Sequence, residues 1–124
     1  MIPNRLRRLE ELIRSAIAEI LLREIQDPRL ESLTITEVRV ASDARFAKVY
    51  WVVRGRSNER RKARDGLDAA AGRIRHELAG RIRGKHVPVL SFHMDDRYDT
   101  AERVQRLIGE LGVPSDEKES GGKT

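Results

Sequence analysis

Eleven cations crowd residues 54–85: Arg54, Arg56, Arg60, Arg61, Lys62, Arg64, Arg73, Arg75, Arg81, Arg83 and Lys85. Only Glu59, Asp65, Asp68 and Glu77 oppose them, so the window is +7, whereas the whole 124-residue chain is +5 and the remainder is −2. A positive field confined to one stretch is the chemistry of a polyanion-binding surface working through phosphate contacts. Arg81 and Lys85 are four residues apart and Arg73 lies about two helical turns before Arg81, so several cations can share one ridge. Arg60, Arg61, Lys62, Arg73, Arg75, Arg81, Arg83 and Lys85 are therefore the candidate nucleic-acid contacts. The plain alternative is a solvated helix face, above all for Arg60-Arg61-Lys62. The absence of any acidic residue from 78 to 94 argues against it.

Other chemistries find little support. Zero cysteines exclude disulfides, thiolate metal sites and cysteine nucleophiles, and fit a reducing, cytoplasmic location. His76, His86 and His93 fall on a helix, a loop and a strand with no partner at ligand spacing, so no metal is expected. Asp95-Asp96 suits loop capping, because adjacent side chains on extended backbone point apart. Ser91 and His93 are alternate residues of one strand face, with no third member of a triad in view. Gly80 and Gly84 lack the lysine and Ser/Thr sequel of a phosphate loop. No active site and no cofactor are expected. The five aromatics are Phe46, Tyr50, Trp51, Phe92 and Tyr98, four of them in strand-like segments where alternation divides them between faces. That division argues against a base-stacking platform and leaves phosphate, sugar and RNA shape as the expected contacts.

The elements that must position these groups follow from periodicity. Residues 4–25 read as a helix, with Leu6, Leu9, Leu12, Ile13, Ala16, Ile17, Ile20 and Leu21 at three- and four-residue steps. Asp27-Pro28 stops it, since the residue before proline is pushed out of the helical region. Leu33–Val40 reads as a strand whose alternation slips between Ile35 and Val38, as a bulge near Glu37 would produce. Phe46–Val53 is a second strand with Ala47, Val49, Trp51 and Val53 on one face, joined to the first as an antiparallel hairpin.

A long helical pattern runs from Glu59 through Ala63, Leu67, Ala70, Ala71, Ile74, Leu78 and Ile82 to Gly84 and Pro88. Gly72 interrupts it. A glycine inside a helix costs about 1 kcal/mol relative to alanine. Close packing of Ala69–Gly72 on the sheet is one reading. The sharper one is a kink at Ala70, Ala71 and Gly72 between two helices, the second opening its N-terminus to an anion beside Arg73 and Arg75. Val89–Met94 is a third strand. Asp99 and Glu102 fit the capping of a final helix carrying Ala101, Val104, Leu107, Ile108 and Leu111. Residues 1–112 form one expected α+β domain in the order α-β-β-α-kink-α-β with a C-terminal helix, and 113–124 a disordered polar tail. No leader peptide or membrane span is expected, because no apolar run approaches the length required.

With these residues in view, the chain resembles the bacterial ribosome-binding factor A family. The resemblance is carried by Asp27-Pro28-Arg29, the run Leu33–Val40, Ala47-Lys48-Val49-Tyr50, Ala70-Ala71-Gly72-Arg73-Ile74-Arg75 with Leu78, and Pro88-Val89-Leu90-Ser91-Phe92 with Asp95. These matches span nearly all of residues 5–111 in order. The resemblance implies a type II KH-like domain in which an Ala-x-Gly interhelical kink, here Ala70 to Gly72, replaces the GxxG clamp of ordinary KH domains. The only GxxG here, Gly109-Glu110-Leu111-Gly112, follows the last strand and reads as a helix end. The implied role is a non-catalytic, monomeric assembly factor that binds the immature small (30S) ribosomal subunit and assists 16S rRNA maturation and 5′-end processing. A general KH-type module for single-stranded RNA is the alternative, and a nuclease a more distant one. The arginine-rich Gly55–Arg64 connection departs from the family pattern, so the RNA-touching cations cannot be copied from it.

Overall fold

The computed structural model describes residues 4–82, 86–98 and 108. Helix α1 spans Asn4–Arg23, followed by a 3₁₀ turn at Pro28–Leu30. Strands β1 (Leu33–Val40) and β2 (Phe46–Val53) form the antiparallel hairpin, helix α2 spans Ser57–Arg81, β3 is Val89–Met94, and a 3₁₀ turn follows at Asp96–Tyr98. The sheet order is β1-β2-β3, with β3 parallel to β2 across the α2 crossover.

Both helices cover one face of this sheet. Ile13, Ile17 and Ile20 of α1 meet Leu67, Ile74 and Leu78 of α2 over Ile35, Val38, Val40, Val49, Trp51 and Val53. The bulge lies where the slip in alternation placed it. Ile35 pairs with Trp51 and Glu37 with Tyr50, so Thr36 is the extra residue. Without it, Ile35 and Val38 could not both face the core. Glu10 of α1 ties the helix to the edge strand by accepting a hydrogen bond from the Val40 N–H at 2.9 Å.

One expectation is corrected. The break into two helices at Ala70, Ala71 and Gly72 is absent, and α2 runs unbroken from Ser57 to Arg81. Buried Ala63, Leu67, Ala70, Ile74 and Leu78 keep one phase across Gly72, and three alanines precede it, so the burial of this stripe outweighs one glycine's helix penalty. Consequently no helix N-terminus opens beside Arg73 and Arg75. The expected C-terminal helix and polar tail lie outside the described residues, except Ile108, which packs with Tyr98 over Val52 on the sheet's other face.

Candidate nucleic-acid interface

The start of α2 depends on Gly55. Its φ of +120° is a region L side chains rarely adopt, and a Cβ there would lie 2.7 Å from Glu59 Cγ. Glu59 folds back to accept from the Arg56 N–H at 2.9 Å, which anchors the basic first turns. The glycine that governs packing is Gly66, which the sequence did not single out. A Cβ at this position would come within 3.0 Å of Leu30 Cδ2 and 3.3 Å of Arg29 Cβ. The Pro28–Leu30 turn thus rests directly on the α2 backbone. Asp27 shapes that turn: it accepts from the Arg29 N–H at 3.0 Å and from the guanidinium at 3.0 and 2.7 Å. The Asp27 carboxyl is accordingly held below its ordinary range, chiefly by the Arg29 side chain. Gly66 sits at spacing three from Ala63 and four from Ala70, on the same buried stripe, which was the available signal.

The candidate cations divide between two sides of α2. Arg73 reaches Glu77 at 3.2 Å and Glu24 at 3.4 Å, and Arg81 reaches Glu77 at 3.2 Å with Glu19 and Glu24 at 3.8 and 3.9 Å. These two arginines do share a ridge, but around carboxylates that join α2 to the C-terminal end of α1. The Glu77 carboxyl is held low by Arg73 first and Arg81 second.

Nine residues are about two and a half turns, so Arg64 points away from Arg73. Arg75 lies about three turns beyond Arg64 and shares its direction, as does Arg61 to within about a sixth of a turn, whereas Lys62, eleven residues before Arg73, lies on the Arg73 side. Arg61, Lys62, Arg64 and Arg75 are all exposed, and Arg60 is half-buried beside them. Arg61 donates to Asn58 Oδ1 at 2.7 Å. None of these five cations forms an ion pair with a described residue. Asp65, Asp68 and Gly72 occupy the surface between the Arg60–Arg64 cluster and Arg75, and a methyl group at Gly72 would meet nothing within 4 Å. Arg83 and Lys85 lie outside the described residues.

The other chemical candidates keep modest roles. Asp95 is 3% exposed and caps its loop as expected. It accepts from Thr36 Oγ1 at 2.6 Å and from Arg97 through the backbone N–H, Nε and Nη2. Arg97 lowers its carboxyl most, burial opposes, and Thr36 adds to the lowering. The bulge residue is thereby tied to the end of β3. Ser91 Oγ and His93 Nε2 lie 2.8 Å apart on the exposed sheet face, and no described carboxylate is hydrogen-bonded to the ring. Among the described residues there is no cluster of three metal-ligating side chains and no helix long and apolar enough to cross a membrane.

The family model for ribosome-binding factor A matches residues 5–108. The chain belongs to the ribosome-binding factor A family. It is 43% identical over 118 residues to ribosome-binding factor A of Dictyoglomus thermophilum, covering 94% of this chain and 98% of that one. It is likewise 43% identical to the Streptomyces coelicolor protein of that name, covering 92% of this chain and 71% of the relative. The crystal structure of ribosome-binding factor A from Thermus thermophilus superposes with a TM-score of 0.64 at 31% identity, over 72% of this chain and 93% of that one. A Thermus thermophilus ribosome-binding factor A homology model, fitted into the cryo-EM map of a 30S complex, matches with a TM-score of 0.57 at 32% identity, over 69% and 90%. These matches agree with an α+β, KH-like domain. In this member the Asp27-Pro28-Arg29 segment has a clear structural purpose, as the turn that seats Leu30 against Gly66.

Proposed function

We propose that this protein is a non-catalytic assembly factor of the small ribosomal subunit, acting in the cytoplasm on the maturation of 16S rRNA. The observation that carries the reading is its likeness to the ribosome-binding factor A fitted into a 30S complex. The contact surface in this reading is the side of α2 turned away from α1. Arg61, Arg64 and Arg75, flanked by Arg60, offer guanidinium groups with no acidic partner among the described residues, and Lys62 adds an ammonium group from the Arg73 side of the helix. Arg83 and Lys85 extend the same charged stretch. Gly72 sits between the two cationic groups, and its missing side chain leaves room for a sugar-phosphate backbone to approach. Arg73 and Arg81 are assigned a supporting role, holding α2 against α1. The monomer is the binding unit.

Sedimentation with purified immature and mature small subunits tests this directly. Co-migration with subunits, stronger for the immature form, is expected. A protein that stays at the top of the gradient with both, or that binds free RNA as tightly as subunits, would contradict the proposal.

A further inference from the structure

We infer that the outer face of the sheet is a second RNA contact, a stacking platform for unpaired bases. This deepens the RNA-binding reading and rests on it. Ala47, Val49 and Trp51 turn into the core, so Phe46, Lys48 and Tyr50 turn away from both helices. Strand β3 adds Val89, Ser91 and His93, in register beside Phe46, Lys48 and Tyr50 respectively. The Tyr50 and His93 rings stand 5.7 Å apart, and Phe46 is 58% and Val89 51% exposed. Arg39 of β1 lies in register with Lys48 on the other side.

Along β2 the outward order is therefore ring, ammonium, ring. At 3.4 Å per residue the two ring-bearing positions lie about 14 Å apart with Lys48 midway, a spacing that lets bases rest on the rings while a phosphate meets the cation. Glu37, opposite Tyr50, is the acidic residue on this part of the face. Its charge is matched by Arg39 at 2.6 Å and Arg97 at 3.0 Å. The platform ends at Val52, which Tyr98 and Ile108 cover.

Alternation does divide the aromatics, as the sequence showed. The outward share, however, falls on adjacent strands and gains His93. Phe46 is among the large hydrophobic side chains that folding leaves exposed, together with its register neighbour Val89. Rings interleaved with cations suit a chain that is anionic and carries planar bases. Duplex RNA, whose bases are already stacked, cannot use them.

The test is fluorescence anisotropy of the full chain with a labelled oligouridine strand and with a labelled RNA duplex, at one salt concentration. The paired substitution Phe46→Ser and His93→Ala removes exposed side chains, and circular dichroism confirms that the fold is kept. Oligouridine affinity is expected to fall about tenfold or more while duplex affinity stays unchanged. Arg64→Ala with Arg75→Ala should instead weaken both. Unchanged oligouridine binding in the Phe46/His93 variant, equal loss for both RNAs, or no binding of oligouridine by the wild type would overturn the platform. So would a loss of subunit binding alone, which would mark the face as a protein-docking surface. None of these outcomes touches the α2 surface, whose failure would show separately as unaltered subunit binding in the Arg64/Arg75 variant.

Discussion

At the scale of single residues, identical arginines on one helix do different work according to azimuth. Arg73 and Arg81 are satisfied by Glu24 and Glu77, whereas Arg64 and Arg75 meet no described carboxylate. Exposed pairs contribute at most about 1 kcal/mol, so Arg73→Ala should lower stability by no more than that and spare subunit binding. Arg64→Ala with Arg75→Ala should leave the melting temperature in place and weaken binding, read side by side in a thermal melt and a binding titration. Asp95, the buried one of several carboxylates held low, contributes to the acid sensitivity. Its lowered carboxyl contributes stability above the unfolded value of about 3.9, and that contribution is lost as pH falls through the still lower folded value. Asp95→Asn should destabilise at neutral pH by about 1–3 kcal/mol, by weakening bonds from Thr36 and Arg97. The variant's stability should also decline less than the wild type's between neutral pH and about pH 3. A parallel decline in both would show that Asp95 contributes nothing to the acid sensitivity. The charge window was legible in the sequence because it needs only counting. Glu77, four residues from both Arg73 and Arg81, was within reach of the same reading, whereas Glu19 and Glu24 were not, because they lie on α1 and in the turn after it, distant in the chain.

At the scale of elements, two glycines in α2 pull in opposite directions. Gly72 faces open space, so Gly72→Ala should raise stability by about 0.5–1 kcal/mol in urea unfolding while weakening subunit binding. Gly66 is closed in by Leu30, and Gly66→Val should lower stability by about 1–3 kcal/mol through overpacking. A Gly66→Val protein as stable as wild type would mean that the Pro28–Leu30 turn does not rest on α2. The strands and their bulge were readable because alternation has period two and its slip at Glu37 has a single geometric remedy. The break at Gly72 was over-read. Local propensity suggested a stop, yet the apolar residues before and after it lie on one helical stripe, and that continuity was already visible in the sequence. The parallel pairing of β3 with β2 was not read from the sequence, although a helical crossover between two strands allows it, and the seat of Leu30 on Gly66 is a tertiary contact that no local pattern encodes.

At the scale of the whole molecule, the chain presents two surfaces: a cationic α2 side and an outer sheet face. A weakly acidic remainder keeps the positive field on the first of these. Phosphate contact releases counterions, so subunit affinity should fall with salt at a log–log slope of about −0.7 to −0.9 per neutralised phosphate. Removing Arg61, Arg64 and Arg75 together should flatten that slope. The most direct test is co-sedimentation of the wild type and the variant Arg61→Ala, Arg64→Ala, Arg75→Ala with immature small subunits at low salt. The wild type is expected in the subunit fractions and the folded variant at the top of the gradient. A variant that co-migrates as fully as the wild type would contradict the assignment of this face to the ribosomal subunit.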